Sequence, residues 1–161
     1  MVVRSATPLD AAVVASVYLE SWRAAYRGLL CDEELEVQAQ MRASYDWGAA
    51  IAETNRIVVV AEDDGIVGVA ECEHTPLTGG HPWLHMIYVI PSAWGTGAAT
   101  ALLDKALAAV DRSRHQTVWL RVVEAQARAR RFYERQGWRL DDEMPPATNG
   151  LFRLLHYRHD V

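Results

Sequence analysis

A strand that stops at a proline and leads through a glycine turn into a helix constrains this chain most. The apolar run 83–90 ends at Pro91, and Gly95 and Gly97 stand before an apolar stripe at helical spacing over 97–112. Glycines let the backbone approach a ligand closely, and the first turn of a helix presents unpaired N–H groups with a partial positive charge. The segment therefore predicts a strand–turn–helix unit whose turn binds phosphate through backbone groups.

Other interpretations of the glycine turn can be tested on the sequence. A Walker loop requires Gly-Lys-Ser/Thr, but Lys105 is the single lysine and lies beyond the turn. A Rossmann fingerprint requires a third glycine or alanine where Thr100 stands, and the turn comes too late for a dinucleotide fold. A tight turn that merely packs a helix onto a sheet stays open from these residues alone.

The remaining pattern predicts one domain over residues 1–161. Strands are expected at 2–6, 56–62, 66–73, 83–90, 117–123, 138–140 and 151–157. Helices are expected at 7–28, in one or two segments, and at 32–52, 97–112 and 126–136, with loops at 75–82 and 145–150. Thr7 is predicted to cap the first helix, with Pro8 in its first turn and Asp10 three residues after the cap. This order of elements indicates an α/β (α+β) fold with a single mixed sheet and helices on both faces.

Charge and cysteine content exclude several function classes. The net charge is −5 with both signs interspersed, whereas a nucleic-acid or membrane surface would carry a basic field. The first residues lack the apolar core of a signal peptide, and no run approaches the about 20 apolar residues of a membrane span. Cys31 and Cys72 lack metal-ligand spacing. We therefore expect a cytoplasmic protein with reduced thiols, no metal, no nucleic-acid partner and no membrane partner.

A second motif follows the strand 117–123. Its helix reads Gln126-Ala127-Arg128-Ala129-Arg130-Arg131-Phe132-Tyr133-Glu134 and stops at Gly137-Trp138. Together with Trp94-Gly95-Thr96-Gly97-Ala98-Ala99, it resembles the GNAT superfamily of acyl-CoA-dependent N-acyltransferases. That family's first motif is a strand, a proline and Gln/Arg-x-x-Gly-x-Gly/Ala, and its second is an Asn-x-x-Ala-x-x-Phe-Tyr-Glu-like helix. Residues 21–30 also resemble the opening helices of bacterial members.

The resemblance implies a mostly antiparallel GNAT-like sheet with acetyl-CoA bound between splayed central strands, 83–90 and 117–123. It implies a cofactor role for Ile87, Tyr88 and Val89 on the strand, for Gly95, Thr96, Gly97, Ala98, Ala99 and Thr100 in the turn, and for Gln126 in the second motif. An N–H near Val89 would polarise the thioester carbonyl. Trp94 departs from the family pattern, because a glutamine or arginine usually stands there. We therefore expect the phosphate contacts to be mainly backbone.

Two side chains are candidates for proton transfer in the reaction that the resemblance implies. Tyr133 stands at the family's general-acid position and would reprotonate the leaving thiolate. Some members place a glutamate base where Trp83 stands here, and strand alternation puts His85 on the same face, nearer the thioester. Glu71 and Glu73 are weaker candidates for the base, and a solvated strand face explains them as well.

The acceptor is expected to be a primary amine of a small molecule or peptide. Trp22 and Tyr26, and also Glu73, are candidates to contact it, although ordinary packing explains the two aromatic residues equally well. The alternative function is a CoA-binding sensor or interaction module without catalysis, which the departures at Trp83, Trp94 and Gln126 keep open. A homodimer is possible for this fold.

Overall fold

The described part of the chain forms two compact units. The computed structural model describes residues 1–74 and 80–161. The units are Met1–Cys72 with Met86–Ala109, and Glu73–His85 with Val110–Val161. The strand before the glycine turn passes from the second unit into the first. A single domain over 1–161 stays a prediction.

Eight strands and five α-helices lie within the described residues of these units. The strands are β1 (Val2–Ser5), β2 (Arg56–Glu62), β3 (Ile66–Glu73), β4 (Trp83–Val89), β5 (Thr117–Val123), β6 (Arg139–Leu140), β7 (Ala147–Thr148) and β8 (Arg153–Asp160). The helices are α1 (Ala11–Tyr26), α2 (Asp32–Ala43), α3 (Trp47–Ala52), α4 (Ala98–Ala108) and α5 (Ala127–Arg135). Single 3₁₀ turns at Pro8–Asp10 and Pro91–Ala93 precede α1 and α4. Within the described residues, no helix has both the length and the apolar character that crossing a membrane requires.

The strands are hydrogen-bonded in the order β1-β2-β3-β4-β5-β8-β6, and β7 also pairs with β8. β4 and β5 are parallel, whereas β1 with β2, and β8 with β5, β6 and β7, are antiparallel. This confirms the predicted mixed, mostly antiparallel sheet. The register of β4 and β5 pairs Trp83 with Trp119 and Leu84 with Leu120, although each strand has seven residues. The splay implied by the family resemblance concerns the residues beyond these pairs and stays a prediction.

The predicted cap lies one turn before the first α-helix, because Thr7 is the N-cap of the 3₁₀ turn Pro8–Asp10 and Asp10 is the N-cap of α1. The Thr7 N–H donates to Asp10 Oδ2 at 2.7 Å, which forms one half of a capping box around the turn that leads into α1. Arg4 donates to both Asp10 oxygens, at 2.8 and 2.9 Å. These bonds from Arg4 hold the pKa of the Asp10 carboxyl well below its usual range. The first strand is thereby tied to the first helix.

The prediction of one helix over 32–52 is wrong. α2 ends at Ala43, and the Ser44 hydroxyl donates to the Met41 carbonyl at 2.7 Å. Asp46 then accepts from the Ala49 N–H at 2.9 Å and begins α3. Serine and aspartate form such local bonds with the backbone and so end or begin helices, which an apolar periodicity does not reveal.

The helices of the first unit cover both faces of its strands. Val58 and Val60 of β2 and Val69 of β3 are buried in one core cluster with residues of α1, α2 and α3. α4 packs on β2 from the opposite face. A side chain at Gly68 of β3 would meet a methyl group of Leu102 at 3.0 Å, which explains the glycine.

The second unit is organised around β8. This strand pairs with β5 along its length and carries the short strands β6 and β7. The predicted loop 145–150 therefore contains a two-residue strand, and the last strand runs over Arg153–Asp160 rather than 151–157. The buried Tyr157 hydroxyl donates to Glu134 at 2.9 Å and so ties β8 to α5.

Candidate functional site

The glycine turn is exposed and shaped by two left-handed residues. Gly95 and Gly97 have φ values of 81° and 90°, where other residues are strained. A Cβ added at either position would meet nothing within 4 Å, so the space beside the backbone is open. Gly97 directly precedes α4 and, as a glycine, provides no side chain to cap the first N–H groups of that helix. The turn is therefore open to a ligand beside its backbone, and phosphate binding there stays a prediction.

The turn is also tied to the strand that precedes it. The Trp94 indole Nε1 donates to the Val89 carbonyl at 2.8 Å. The Thr96 hydroxyl donates to the Ala93 carbonyl at 2.8 Å, and the Thr96 N–H is directed at the same oxygen at 3.5 Å. Among the predicted phosphate donors, the Thr96 amide is thus partly engaged within the turn. The role of the Thr96 amide in binding phosphate stays a prediction, as do the roles of the other predicted donors over Gly95–Thr100.

The predicted acceptor residues Trp22 and Tyr26 lie in an aromatic cluster of the first unit. Their rings stack at 4.6 Å, and Trp22 is buried, at 1% exposed, whereas Tyr26 is half-buried. Tyr88 of β4 contacts Tyr18 edge-to-face at 5.2 Å and shares a hydrogen bond with Tyr26. A direct contact of Trp22 with an acceptor would require this packing to open. Tyr26 is the better placed of the two.

Burial raises the pKa of the tyrosines in this cluster. It raises the pKa of Tyr18 to about 12 and raises the pKa of Tyr26 above its usual value. Burial also raises the pKa of Tyr88 well above the usual value. All three phenols are therefore neutral near pH 7, and β4 presents an uncharged hydroxyl beside the predicted cofactor strand residues Ile87 and Val89.

Glu71 does not lie on a solvated strand face. Its side chain is fully buried and forms an ion pair with Arg56. The Tyr45 hydroxyl donates to the same carboxylate at 2.8 Å. A fully buried carboxylate that is held by Arg56 and Tyr45 is not accessible to an acceptor substrate. These contacts make Glu71 a structural residue of the first unit.

His85 and Glu73 come together in the second unit. His85 Nδ1 lies 3.9 Å from Glu73 Oε1, and the two side chains are 48% and 14% exposed. An accessible imidazole beside a carboxylate is an arrangement suited to removing a proton from an amine and stabilising the imidazolium that forms. The predicted loop 75–82 adjoins Glu73, but its residues 75–79 lie outside the described residues.

Gln126 and Tyr133 occupy the ends of the second motif. Gln126 immediately precedes α5, and its amide nitrogen Nε2 is buried with no hydrogen-bond partner in the described structure. Such an atom is costly unless a ligand or water satisfies it. The Tyr133 ring is half-buried against Phe132 and Trp138, at centroid distances of 5.2 and 5.8 Å.

Sequence reasoning missed a second group of side chains on the sheet of the second unit. Trp83 lies under the Arg121 guanidinium at 4.9 Å and meets the His156 ring edge-to-face at 5.9 Å. Burial lowers the pKa of His156, so this imidazole is neutral at pH 7. The register places His156 opposite Arg121, a pairing between distant segments that no local pattern predicts. Over residues 1–74 and 80–161, no three His, Cys, Asp or Glu side chains are grouped as metal ligands.

Comparison with known proteins identifies the family. The sequence model of the acetyltransferase (GNAT) family matches residues 16–138. Since the match includes most of the chain, the protein belongs to this family, as the two motifs indicate. An uncharacterized N-acetyltransferase of Mycobacterium tuberculosis is 36% identical over 78 residues, which are 48% of this chain and 46% of that protein. The chain therefore spans about half the length of the curated relatives it matches.

Solved structures confirm the fold. The PaiA N-acetyltransferase of Thermoplasma acidophilum, in complex with coenzyme A, is similar with a TM-score of 0.80 and 19% identity, over 96% of each chain. YncA of Salmonella typhimurium, solved with its cofactor acetyl-CoA, has a TM-score of 0.72 and 18% identity, over 99% of this chain and 93% of that one. The predicted GNAT-like sheet with its helices is thus confirmed.

Proposed function

We propose that the protein is an N-acetyltransferase that transfers the acetyl group of acetyl-CoA to a primary amine of a small molecule or peptide. The open turn with left-handed Gly95 and Gly97 directly ahead of α4 carries this proposal. Family membership and the coenzyme A and acetyl-CoA complexes of similar structures support the choice of cofactor.

The residues present fit such a cofactor. Pyrophosphate would be held by backbone N–H groups of the turn and of the first turn of α4, at Gly95, Thr96, Gly97, Ala98, Ala99 and Thr100. Binding of the pyrophosphate in this way needs no charged side chain, since the helix terminus supplies N–H donors and a partial positive charge. The pantetheine arm carries amide groups, and backbone groups of Ile87, Tyr88 and Val89 would pair with them. The buried, unsatisfied Nε2 of Gln126 is a donor suited to one of its carbonyls.

The chemistry assigned to the chain is positioning, polarisation and proton transfer. Acetyl-CoA supplies an activated acyl group. The Val89 N–H would polarise the thioester carbonyl, an effect worth roughly 3–4 kcal/mol per fixed donor in comparable sites. His85, with Glu73 beside it, would take the proton that the attacking amine loses. Tyr133 would protonate the departing sulfur.

The decisive experiment combines binding with turnover. Isothermal titration with acetyl-CoA should show binding, and a panel of amines should release free thiol in the presence of acetyl-CoA. The absence of binding at millimolar acetyl-CoA would contradict the cofactor assignment. A Gly97→Val variant should weaken binding, because a β-branched residue is strained at φ 90° and its side chain fills the open space. Gly28→Val carries the same strain at φ 86° outside the turn and serves as its control.

One observation favours a second candidate, a CoA-binding sensor. Trp83 contacts Arg121 and His156 at the position where the family resemblance places a glutamate base in some members. A protein that binds acetyl-CoA but acetylates no member of a wide amine panel would support the sensor, and Tyr133→Phe would then change nothing measurable.

We also propose a cytoplasmic location, where acetyl-CoA is available and a thiol such as that of the exposed Cys31 stays reduced. A homodimer in solution is a further proposal for this fold, and sedimentation equilibrium tests it directly. A monomer across the micromolar range would contradict it.

A further inference from the structure

A positive charge lies among the aromatic rings of the first unit. The guanidinium carbon of Arg42, at the end of α2, lies 4.3 Å from the centre of the Trp22 ring. Arg42 Nη1 donates to the backbone carbonyl and the side-chain Oε1 of Gln38, at 3.0 and 2.8 Å. The guanidinium stacks on the Trp22 ring with its face and donates these two hydrogen bonds from its edge, and together these contacts fix its orientation. Its Nη2 edge takes part in neither bond to Gln38.

This charge has no carboxylate partner within residues 1–74 and 80–161. Glu34 lies on the same face of α2, but it accepts a hydrogen bond from Gln38 at 2.9 Å, so that Gln38 separates it from Arg42. Glu71, the buried acid of this unit, is paired with Arg56. Arg42 is half-buried, and a charge in that setting is screened less by salt than an exposed one.

The neighbours of Arg42 offer hydrogen bonds but no negative charge. The positive charge of Arg42 acts electrostatically on the phenols of Tyr18, Tyr26 and Tyr88. Since a phenol is neutral at pH 7 and burial raises these pKa values further, the three tyrosines do not compensate the guanidinium. The cluster therefore combines aromatic surface, hydroxyl groups and one uncompensated cation.

We infer that Arg42 binds a carboxylate of the acceptor, so that the substrate is an amine that also carries a carboxylate group. This inference rests on the proposed function. A guanidinium presents parallel N–H groups that match the two oxygens of a carboxylate. Tyr88 belongs to the same cluster and directly precedes Val89, the residue proposed to polarise the thioester. A carboxylate at Arg42 would thus anchor an acceptor along β4, with its apolar part against the tyrosine rings.

Acetylation of matched acceptors tests this inference. Phenylalanine, leucine and glutamine are each compared with their decarboxylated amines and methyl amides, at saturating acetyl-CoA. The wild type should acetylate the carboxylate-bearing members with the higher kcat/KM. Arg42→Gln should lower kcat/KM for those members by at least about tenfold, as expected for loss of a charged hydrogen bond. It should leave the carboxylate-free members and the KM for acetyl-CoA unchanged.

Two further variants control for charge and folding. Arg114→Gln removes the same charge from an exposed position of the second unit and should behave as the wild type. Arg42→Lys keeps the charge but loses the parallel donors, so its selectivity should lie between those of the wild type and Arg42→Gln. If Arg42→Gln fails to fold, the selectivity of Arg42→Lys decides the matter.

The outcomes separate this inference from the proposed function. Acetylation without a carboxylate preference, unchanged in Arg42→Gln, would overturn the inference and leave the acetyltransferase function intact. If no amine is acetylated, the proposed function fails, and calorimetry of the same amino acids against the CoA-loaded protein decides the inference. Binding that Arg42→Gln weakens would support it, whereas no binding to the wild type would overturn it.

Discussion

The indole Nε1 of Trp94 donates a hydrogen bond to the carbonyl oxygen of Val89 at 2.8 Å. This bond joins the exposed glycine turn to the last residue of β4. Family members usually have glutamine or arginine at this position, so the residue expected to contact phosphate instead contacts the chain's own backbone. The shape of the turn is thereby coupled to the strand residue proposed to polarise the thioester.

Trp94→Phe should weaken cofactor binding without removing it. Phenylalanine keeps the aromatic packing and loses the indole donor, and a neutral hydrogen bond is worth about 0.5–1.5 kcal/mol, or roughly two- to tenfold in affinity. Isothermal titration with coenzyme A measures the effect, and Trp94→Ala removes the packing as well. Equal affinity of Trp94→Phe and the wild type would show that the bond to Val89 does not support the turn.

Tyr133→Phe should lower kcat by roughly 10²-fold or more, the usual contribution of a general acid, with cofactor affinity little changed. Tyr45→Phe is the matched control, because it removes a phenol hydroxyl that donates a hydrogen bond to Glu71 in the first unit. Steady-state kinetics on any accepted amine compares the two. An equal loss of activity in both variants would contradict the role of Tyr133.

His85→Gln should lower kcat by a similar factor if this imidazole removes the amine proton. Glu73→Gln should have a smaller effect, because Glu73 acts through His85 at 3.9 Å rather than on the substrate proton itself. Steady-state kinetics with an accepted amine measures both variants, and equal losses of kcat would contradict the direct role of His85. His159→Gln removes a histidine that faces Gly137 and should leave kcat unchanged.

Features that depend on a short stretch of chain were predictable from the sequence. The glycine turn between β4 and α4 and a helical start at Thr7 and Pro8 follow from local backbone chemistry, and the structure has both. The two motifs also predicted the family and its sheet correctly. Each motif is encoded in a short stretch of chain, so a single sequence contains it.

Features that depend on contacts between distant segments were not predictable. The sequence placed Glu71 on a strand, but its burial depends on Arg56 and Tyr45. The sequence did not predict a role for Arg42 in its polar helix, because the stacking of Arg42 on Trp22 requires α1 and α2 to pack against each other. A guanidinium without an acid partner is a property of the folded surroundings, which composition and periodicity do not report.

Asp10 should make folding stability depend on acid. Its folded pKa is depressed by Arg4 below the ordinary value near 3.9, so it stabilises the fold at neutral pH and loses that contribution as pH falls below that value. Asp10→Ala also removes the acceptor of the Thr7 N–H and should reduce the free energy of unfolding at pH 7 by about 1–2 kcal/mol. Urea unfolding at pH 7 and near pH 2.5 measures this, and the difference from the wild type should shrink at the lower pH. Asp142→Ala, which changes an exposed aspartate, should show no such difference. A constant deficit of Asp10→Ala at both pH values would show that the carboxylate charge contributes nothing to the cap.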